Sequence, residues 1–417
     1  MNVRKKLSFT CIIFAIILFY LFTSCCYADE IDYWDTEIYS TETSIDTSSI
    51  PSINSRAAIV IERTTGAILF GKNENEQRKM ASTTKIMTAI VVLENVSDLS
   101  EIVTISKKAA NIGGSRLGLS TNAQITVNDL LYGLLLCSGN DAAIALAEFV
   151  GGDVNGFAAL MNQKALALNL NNTHFVTPHG LDNEDHYTTA YELALLTNYA
   201  LQNNTFLKIV NTKSYSVLIN NSYKNISNTN ELLGYLNGIY GVKTGFTNGA
   251  NRCLVSSCKR GNLDIICVVL GADTKKFRTQ DSIKLIEYTF SNFEMIDINS
   301  IIQNNFSMWQ TESSNSFFVN KGISNNVETY IENIPFSHYP INKLKVNDIN
   351  IDIDCSYSFE APLLANTLIG ALTCSIDNTE ICKLKIYSSN SIMKKNILFY
   401  LDSFIENYRL YLESLFV

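Results

Sequence analysis

Several textures of apolar and polar positions follow one another along the chain. An unbroken apolar run from Leu7 to about Leu21 comes first, preceded by Arg4, Lys5 and Lys6. Residues 29–54 are rich in Asp, Glu, Ser and Thr without apolar periodicity, the pattern of a flexible linker. Strand-like runs at 57–61 and 67–71 flank Thr64-Thr65-Gly66 and predict a hairpin. From residue 82 to 92 the apolar positions Ile86, Met87, Ala89, Ile90, Val91 and Val92 leave no polar face, so a helix buried on all sides is expected, with a second over 127–136. Residues 241–246, 253–258 and 263–271 read as successive strands joined by turns at Asn248-Gly249 and Arg260-Gly261-Asn262. Strands at both ends with helices between predict one α/β domain over 55–295, its antiparallel sheet assembled from distant segments. Beyond 296 short alternating runs at 327–331, 350–358, 367–376 and 381–387 predict a separate small all-β domain reaching residue 390.

The last stretch, 391–417, has helical periodicity. At about 100° per residue, Ile397, Leu401, Phe404, Ile405, Tyr408, Tyr411, Leu412 and Leu415 share one face, and Asp402, Glu406, Arg409 and Glu413 lie opposite. Four charges argue against a membrane span, so the segment is expected to lie in the interface at the outer face of the cytoplasmic membrane. Packing of this helix back onto the β domain is the alternative.

The chain has 417 residues, 47% hydrophobic and 17% charged, which excludes a disordered protein and allows two or three domains. A net charge of -8 argues against nucleic acid as a partner and against electrostatic capture by anionic lipid. The basic start, the apolar run and the small residue Ala28 make residues 1–28 an export signal, and its loss leaves the chain three charges more negative. A retained anchor is the alternative, because the run approaches the length of a span. Phe22-Thr23-Ser24-Cys25 half resembles a lipoprotein cleavage box, with Phe22 in the usual aliphatic place. Seven cysteines remain outside the signal, an odd number without metal-ligand spacing; they read as small apolar fillers, with a Cys374–Cys382 disulfide left open.

Candidate chemistry enters at Ser82-Thr83-Thr84-Lys85, which sets a hydroxyl and an amine three residues apart at the start of an apolar helix. A serine needs a neighbour to accept its proton, and a lysine buried beside another cation has its pKa lowered enough to do so. The spacing alone is weak, since Ser256 with Lys259 and Ser391 with Lys394 share it. The apolar setting distinguishes Ser82, because a lysine without a task is costly to bury there. Ser138-Gly139-Asn140 follows a leucine-rich helix and offers a second hydroxyl and an amide at a turn. Lys243-Thr244-Gly245 occurs once, within an expected strand, where Lys243 brings a cation, Thr244 a hydroxyl for a carboxylate, and Gly245 room for a substrate backbone.

Ser-x-x-Lys, Ser-x-Asn and Lys-Thr-Gly in this order mark β-lactamases and penicillin-binding proteins. The chain resembles the serine D-alanyl-D-alanine carboxypeptidases, the low-molecular-weight penicillin-binding proteins of peptidase family S11, over about residues 55–390. Gly113-Gly114-Ser115, Thr177-Pro178-His179-Gly180-Leu181-Asp182 and the run from Gly238 to Thr247 carry the likeness as well. The resemblance implies a β-lactamase/transpeptidase-like fold and an acyl-enzyme reaction on peptidoglycan stem peptides ending in D-Ala-D-Ala, with β-lactams as covalent inhibitors and no cofactor. It makes Ser82 the nucleophile, Lys85 its base, Ser138 and Asn140 the second motif, and Lys243 and Thr244 the groups facing the terminal carboxylate. Gly245 lies along the substrate, the backbone N–H groups of Ser82 and Phe246 form the oxyanion hole, and Arg278 is a cleft arginine. One departure follows Thr247: Asn251 stands after Ala250 where the family usually has Gly.

Two other readings compete. A class A β-lactamase shares the motifs but needs a Glu followed three residues later by Leu-Asn, and Glu148, Glu184 and Glu192 lack that context. A non-catalytic penicillin-binding sensor or wall-binding module would carry a broken motif, and all three are whole. His174, His179 and His186 have no metal-ligand spacing.

Overall fold

The computed structural model describes residues 47–377 and 379–414. The expected export signal, the part of the expected linker before residue 47, Asn378 and Leu415 fall outside them. Two compact units divide after Ser291. This boundary precedes the expected one by a few residues, because Phe293–Ile296 pairs as a strand with Tyr339–Asn342.

In the first unit the hairpin of β1 (Ala57–Glu62) and β2 (Ile68–Lys72) joins three strands from the other end of the unit, β3 (Ile239–Thr247), β4 (Asn251–Arg260) and β5 (Leu263–Ala272). The sheet order is β2-β1-β5-β4-β3, antiparallel throughout. All six residues of β1 are buried, and Ile59 lies opposite Val268 of β5. Central strands covered on both faces read as continuous apolar runs, not as alternation, as these do. Helices α1 (Lys85–Asn95), α2 (Val127–Leu135), α3 (Asn140–Gly151), α4 (Val154–Ala167) and α5 (Ala190–Ala200) share one apolar core with the sheet. The first eight residues of α1 are all buried, as the absence of a polar face predicts. Side-chain caps fix three helix starts: Thr126 accepts from Asp129 N, Asp153 from Gly156 N and Thr189 from Glu192 N. A further helix, α6 (Lys275–Asn292), carries Asp281, which takes the backbone N–H groups of Asn54 and Ser55. Ile53 is buried too, so packed structure begins just inside the expected linker.

The second unit builds an antiparallel sheet from β6 (Thr329–Ile331), β7 (Ile349–Cys355), β8 (Leu368–Ile376) and β9 (Thr379–Ser388) in the order β6-β9-β8-β7. It is not β throughout, as the sequence reading had it. Helix α7 (Ile298–Ser313) places Ile298, Ile302 and Phe306, one turn apart, in the unit's core. Its remaining positions are so rich in Asn, Gln and Ser that the apolar stripe is too thin to show a helical period in the sequence. Cys374 and Cys382 face each other across β8 and β9, and all seven cysteines among the described residues are free thiols.

Residues 391–396 also belong to this unit and not to the terminal helix. Ile392 is 2% exposed and exchanges backbone hydrogen bonds with Leu363. Helix α8 spans Ile397–Ser414 and has no buried residue. Ile397 is 76% exposed and Phe404 68%. Among the described residues no single helix is long and apolar enough to cross a membrane.

Candidate active site

Ser82 sits in a single 3-10 turn, Ala81–Thr84, that leads into α1, and Lys85 is the first residue of the helix proper. The turn is tight enough to bring Lys85 Nζ to 2.9 Å from Ser82 Oγ. Nζ also lies 2.7 Å from Asn140 Oδ1 and 2.9 Å from the carbonyl oxygen of His179. Asn140 opens α3 and is oriented by donating its own amide to Gly113 O at 2.7 Å. Lys85 is fully buried, and burial, then the positive charge of Lys243, holds its amine well below the ordinary lysine value.

These groups open on a cleft of about 290 Å³ lined by Ser82, Ser138 and Asn140 on one side and by Thr244, Gly245 and Phe246 on the other. Gly114, Ser115, Leu181 and Asp182 close its remaining walls. Ser138 enters it from a left-handed turn, φ 62°, between α2 and α3. Strand β3 lies directly on the Ser82 turn: a Cβ at Gly245 would stand 3.1 Å from Met80 O and 3.2 Å from Ser82 N. Glycine there keeps the backbone of β3 against the Ser82 N–H, the geometry a two-donor oxyanion hole needs. Thr244 Oγ1 is 2.7 Å from Thr229 Oγ1. Lys243 is buried behind the lining and donates to Thr244 O at 3.0 Å.

The sequence model of the D-alanyl-D-alanine carboxypeptidases, peptidase family S11, matches residues 44–274. The chain belongs to this family. The carboxypeptidase DacF of Bacillus subtilis is 32% identical over 351 residues, which span 83% of this chain and 88% of that protein. Crystal structures are similar as well: penicillin binding protein 5 from Haemophilus influenzae gives a TM-score of 0.66 at 28% identity, over 83% of this chain and 99% of that one. The Streptomyces K15 DD-transpeptidase gives 0.56 at 36% identity, over 58% of this chain and 99% of its own length. The chain thus has the transpeptidase/β-lactamase fold that its motifs implied.

Of the residues named from sequence, the structure gathers Ser82, Lys85, Ser138, Asn140, Lys243, Thr244, Gly245 and Phe246 around one cleft. Arg278 is different. It is buried, pairs with Glu231 and does not itself line the cleft. Burial alone would raise the Glu231 carboxyl, but the adjacent guanidinium and Thr279 outweigh it and hold the carboxyl below its usual value. The departure at residue 251 also has a physical account: Asn251 has φ 58°, the left-handed conformation for which the family's glycine is suited and which Asn tolerates best among side-chain-bearing residues. The turn is kept.

Sequence reasoning missed several supports. His179 acts through its carbonyl oxygen, Thr229 through a hydroxyl in a loop, and Asp182 by accepting from Thr247 Oγ1 at 2.6 Å and Gly249 N at 2.9 Å. Only the Thr-Pro-His-Gly-Leu-Asp run marked any of them beforehand.

Proposed function

We propose that this carboxypeptidase removes the terminal D-alanine from peptidoglycan stem peptides by acylation of Ser82, outside the cytoplasmic membrane. The observation that carries the reading is the set of three contacts made by Lys85 Nζ. A neutral amine has two N–H groups and one lone pair. Asn140 Oδ1 and His179 O are acceptors and take the two N–H groups, which leaves the lone pair for the hydroxyl of Ser82, 2.9 Å away. Burial beside Lys243 favours that neutral form. As Ser82 Oγ attacks the penultimate carbonyl, its proton passes to Lys85. The carbonyl oxygen gains charge opposite the N–H groups of Ser82 and Phe246, and the C–N bond breaks as the leaving amine of D-alanine takes a proton, for which Ser138 stands in the cleft beside Asn140. Water then hydrolyses the ester. Thr244, held by Thr229, and the cation of Lys243 behind it suit the free carboxylate of the leaving residue.

A β-lactam presents a strained amide to the same hydroxyl, so fluorescent penicillin tests the assignment. Wild-type protein is expected to label covalently and to release D-alanine from a tripeptide ending in D-Ala-D-Ala. Ser82→Ala should do neither, and covalent labelling of that variant would overturn the role of Ser82. Export through residues 1–28 and attachment by α8 complete the proposal; the support for attachment is a helix whose apolar face carries Phe404, Ile405 and Tyr411, all more than half exposed.

A further inference from the structure

A buried histidine outside the three motifs has one ring nitrogen anchored to the backbone and the other directed at the nucleophile turn. His186 is 2% exposed. Its Nδ1 accepts from Val176 N at 3.0 Å, which leaves the ring proton on Nε2, 2.8 Å from Thr84 Oγ1. The hydroxyl of Thr84 spends its single proton on Ala81 O at 2.7 Å, so it can only accept from His186. The two constraints agree on one direction: Nε2–H donates to Thr84 Oγ1, and Thr84 O–H donates to Ala81 O.

Ala81 is the residue that most needs holding. It has φ 49°, left-handed for a residue with a Cβ, and is 1% exposed. Its carbonyl belongs to the same planar peptide unit as the N–H of Ser82, and in a trans peptide the two point in opposite directions. Whatever fixes the Ala81 carbonyl therefore aims the Ser82 N–H.

We propose that His186 is a positioning residue for acylation, which through Thr84 pins the Ala81–Ser82 peptide plane and so directs the Ser82 N–H at the oxyanion. The inference rests on the reading of that N–H as an oxyanion donor. It goes beyond it by assigning a specific hydrogen-bond relay, from a segment with no motif of its own, that sets the donor's orientation.

The test uses the full exported chain and penicillin G as the acylating probe. Thr84→Val removes the hydroxyl at nearly constant volume. His186→Phe keeps a ring against Phe175, with which His186 makes an edge-to-face contact at 5.7 Å, but loses the donor. His186→Gln keeps an N–H donor. Removing one oxyanion donor outright costs about 100- to 1000-fold, so misaiming one should slow acylation by roughly 10- to 100-fold in the first two variants. His186→Gln should stay within a few-fold of wild type. The spectroscopic signature is the infrared band of the acyl-enzyme ester carbonyl, expected at higher frequency in Thr84→Val and His186→Phe than in wild type and His186→Gln. Unchanged acylation in Thr84→Val would overturn the proposal. Slowed acylation with an unshifted ester band would overturn it equally, because it would mean a general loss of structure. If His186→Phe does not fold, Thr84→Val decides alone. A wild-type protein that fails to acylate Ser82 at all refutes the functional reading instead, so the two failures are distinguishable.

Discussion

The packing of Gly180 under the nucleophile turn can be tested with one added carbon. A Cβ at Gly180 would stand 1.9 Å from Ala81 O, 2.5 Å from Ala81 C and 2.6 Å from Thr84 Oγ1. Two of those three atoms are backbone, so a rotamer change cannot relieve the collision. Gly180 also has φ +83°, which costs a side-chain-bearing residue roughly 1–2 kcal/mol. Gly66 is the control, since it has φ +73° and nothing within 4 Å of its missing Cβ. Gly66→Ala should therefore lose only the conformational 1–2 kcal/mol, and Gly180→Ala that amount plus about 1–3 kcal/mol for overpacking. Function should separate them further. Relieving the clash means shifting Ala81, and with it Ser82, by something like 1 Å, a displacement worth about 100-fold in rate. Urea unfolding gives the stability difference, and the rate of labelling by fluorescent penicillin at a temperature where both variants are folded gives the functional one. Gly66→Ala should acylate at about the wild-type rate. If Gly180→Ala labels as fast as Gly66→Ala, the segment does not brace the nucleophile and the reasoning fails.

Two further outcomes follow from the charge and burial pattern. Lys243→Gln removes the cation that helps hold the Lys85 amine down, so the Lys85 pKa must rise, and the limb along which acylation increases with pH should move to higher pH; pH–rate profiles of penicillin acylation check this, and an unmoved or acid-shifted limb would refute the coupling. A chain ended at Asn396 should leave the membrane fraction with its carboxypeptidase activity intact, whereas one ended at Asn390 also loses the buried Ile392 and should destabilise the second unit by about 2–3 kcal/mol; sedimentation with membranes and thermal unfolding of both distinguish them, and an Asn396 product that still sediments would place the attachment elsewhere.

The parts of the fold that could be read from sequence were those in which side-chain pattern and burial coincide. Helix α1 has no polar face over its first eight residues and is buried there on all sides, β5 is an apolar run, and turns at Asn248-Gly249 and Gly261 bound β3 and β4, so their positions can be read to within a few residues. Helix α7 escaped because only Ile298, Ile302 and Phe306 of its sixteen residues are buried apolar ones. In sequence, residues 391–396 read as part of the terminal helix because Ile392 and Met393 adjoin an amphipathic pattern, while the pairing that fixes them involves Leu363 and Ile323, far away along the chain. At the site, the groups visible beforehand act through distinctive side chains at fixed spacing. The supports that spacing does not reveal are backbone carbonyls, such as His179 O and Gly113 O, which any residue type provides, and ordinary side chains on loops, such as Thr229 and Asp182. The Arg278–Glu231 pair is hidden in sequence for a related reason, since Glu231 lies in a loop without periodicity and only the fold reveals it as the partner.

That limit has its sharpest form in residues 177–186, which form neither a helix nor a named strand and yet meet three catalytic elements. His179 O and Pro178 O receive Lys85 Nζ and Thr88 Oγ1, which ties the segment to α1 and fixes Lys85, the proposed base. Gly180 and His186 bear on Ala81 and Thr84, which fixes the nucleophile turn. Asp182 accepts from Thr247 Oγ1 and Gly249 N, and Thr247 Oγ1 in turn accepts from Ala250 N, which fixes the turn between β3 and β4. These last contacts explain why Asn251 can replace glycine without disturbing the site. The turn's path is set by hydrogen bonds to a carboxylate on another segment, so the residue at 251 need only tolerate a left-handed φ, which Asn does. Reaction class therefore follows from the three motifs, while the relative placement of nucleophile, base and β3 depends on a connecting segment with no periodic signal; substitutions at Gly180, Asp182 or His186 should alter rate even though none of them supplies a reacting atom.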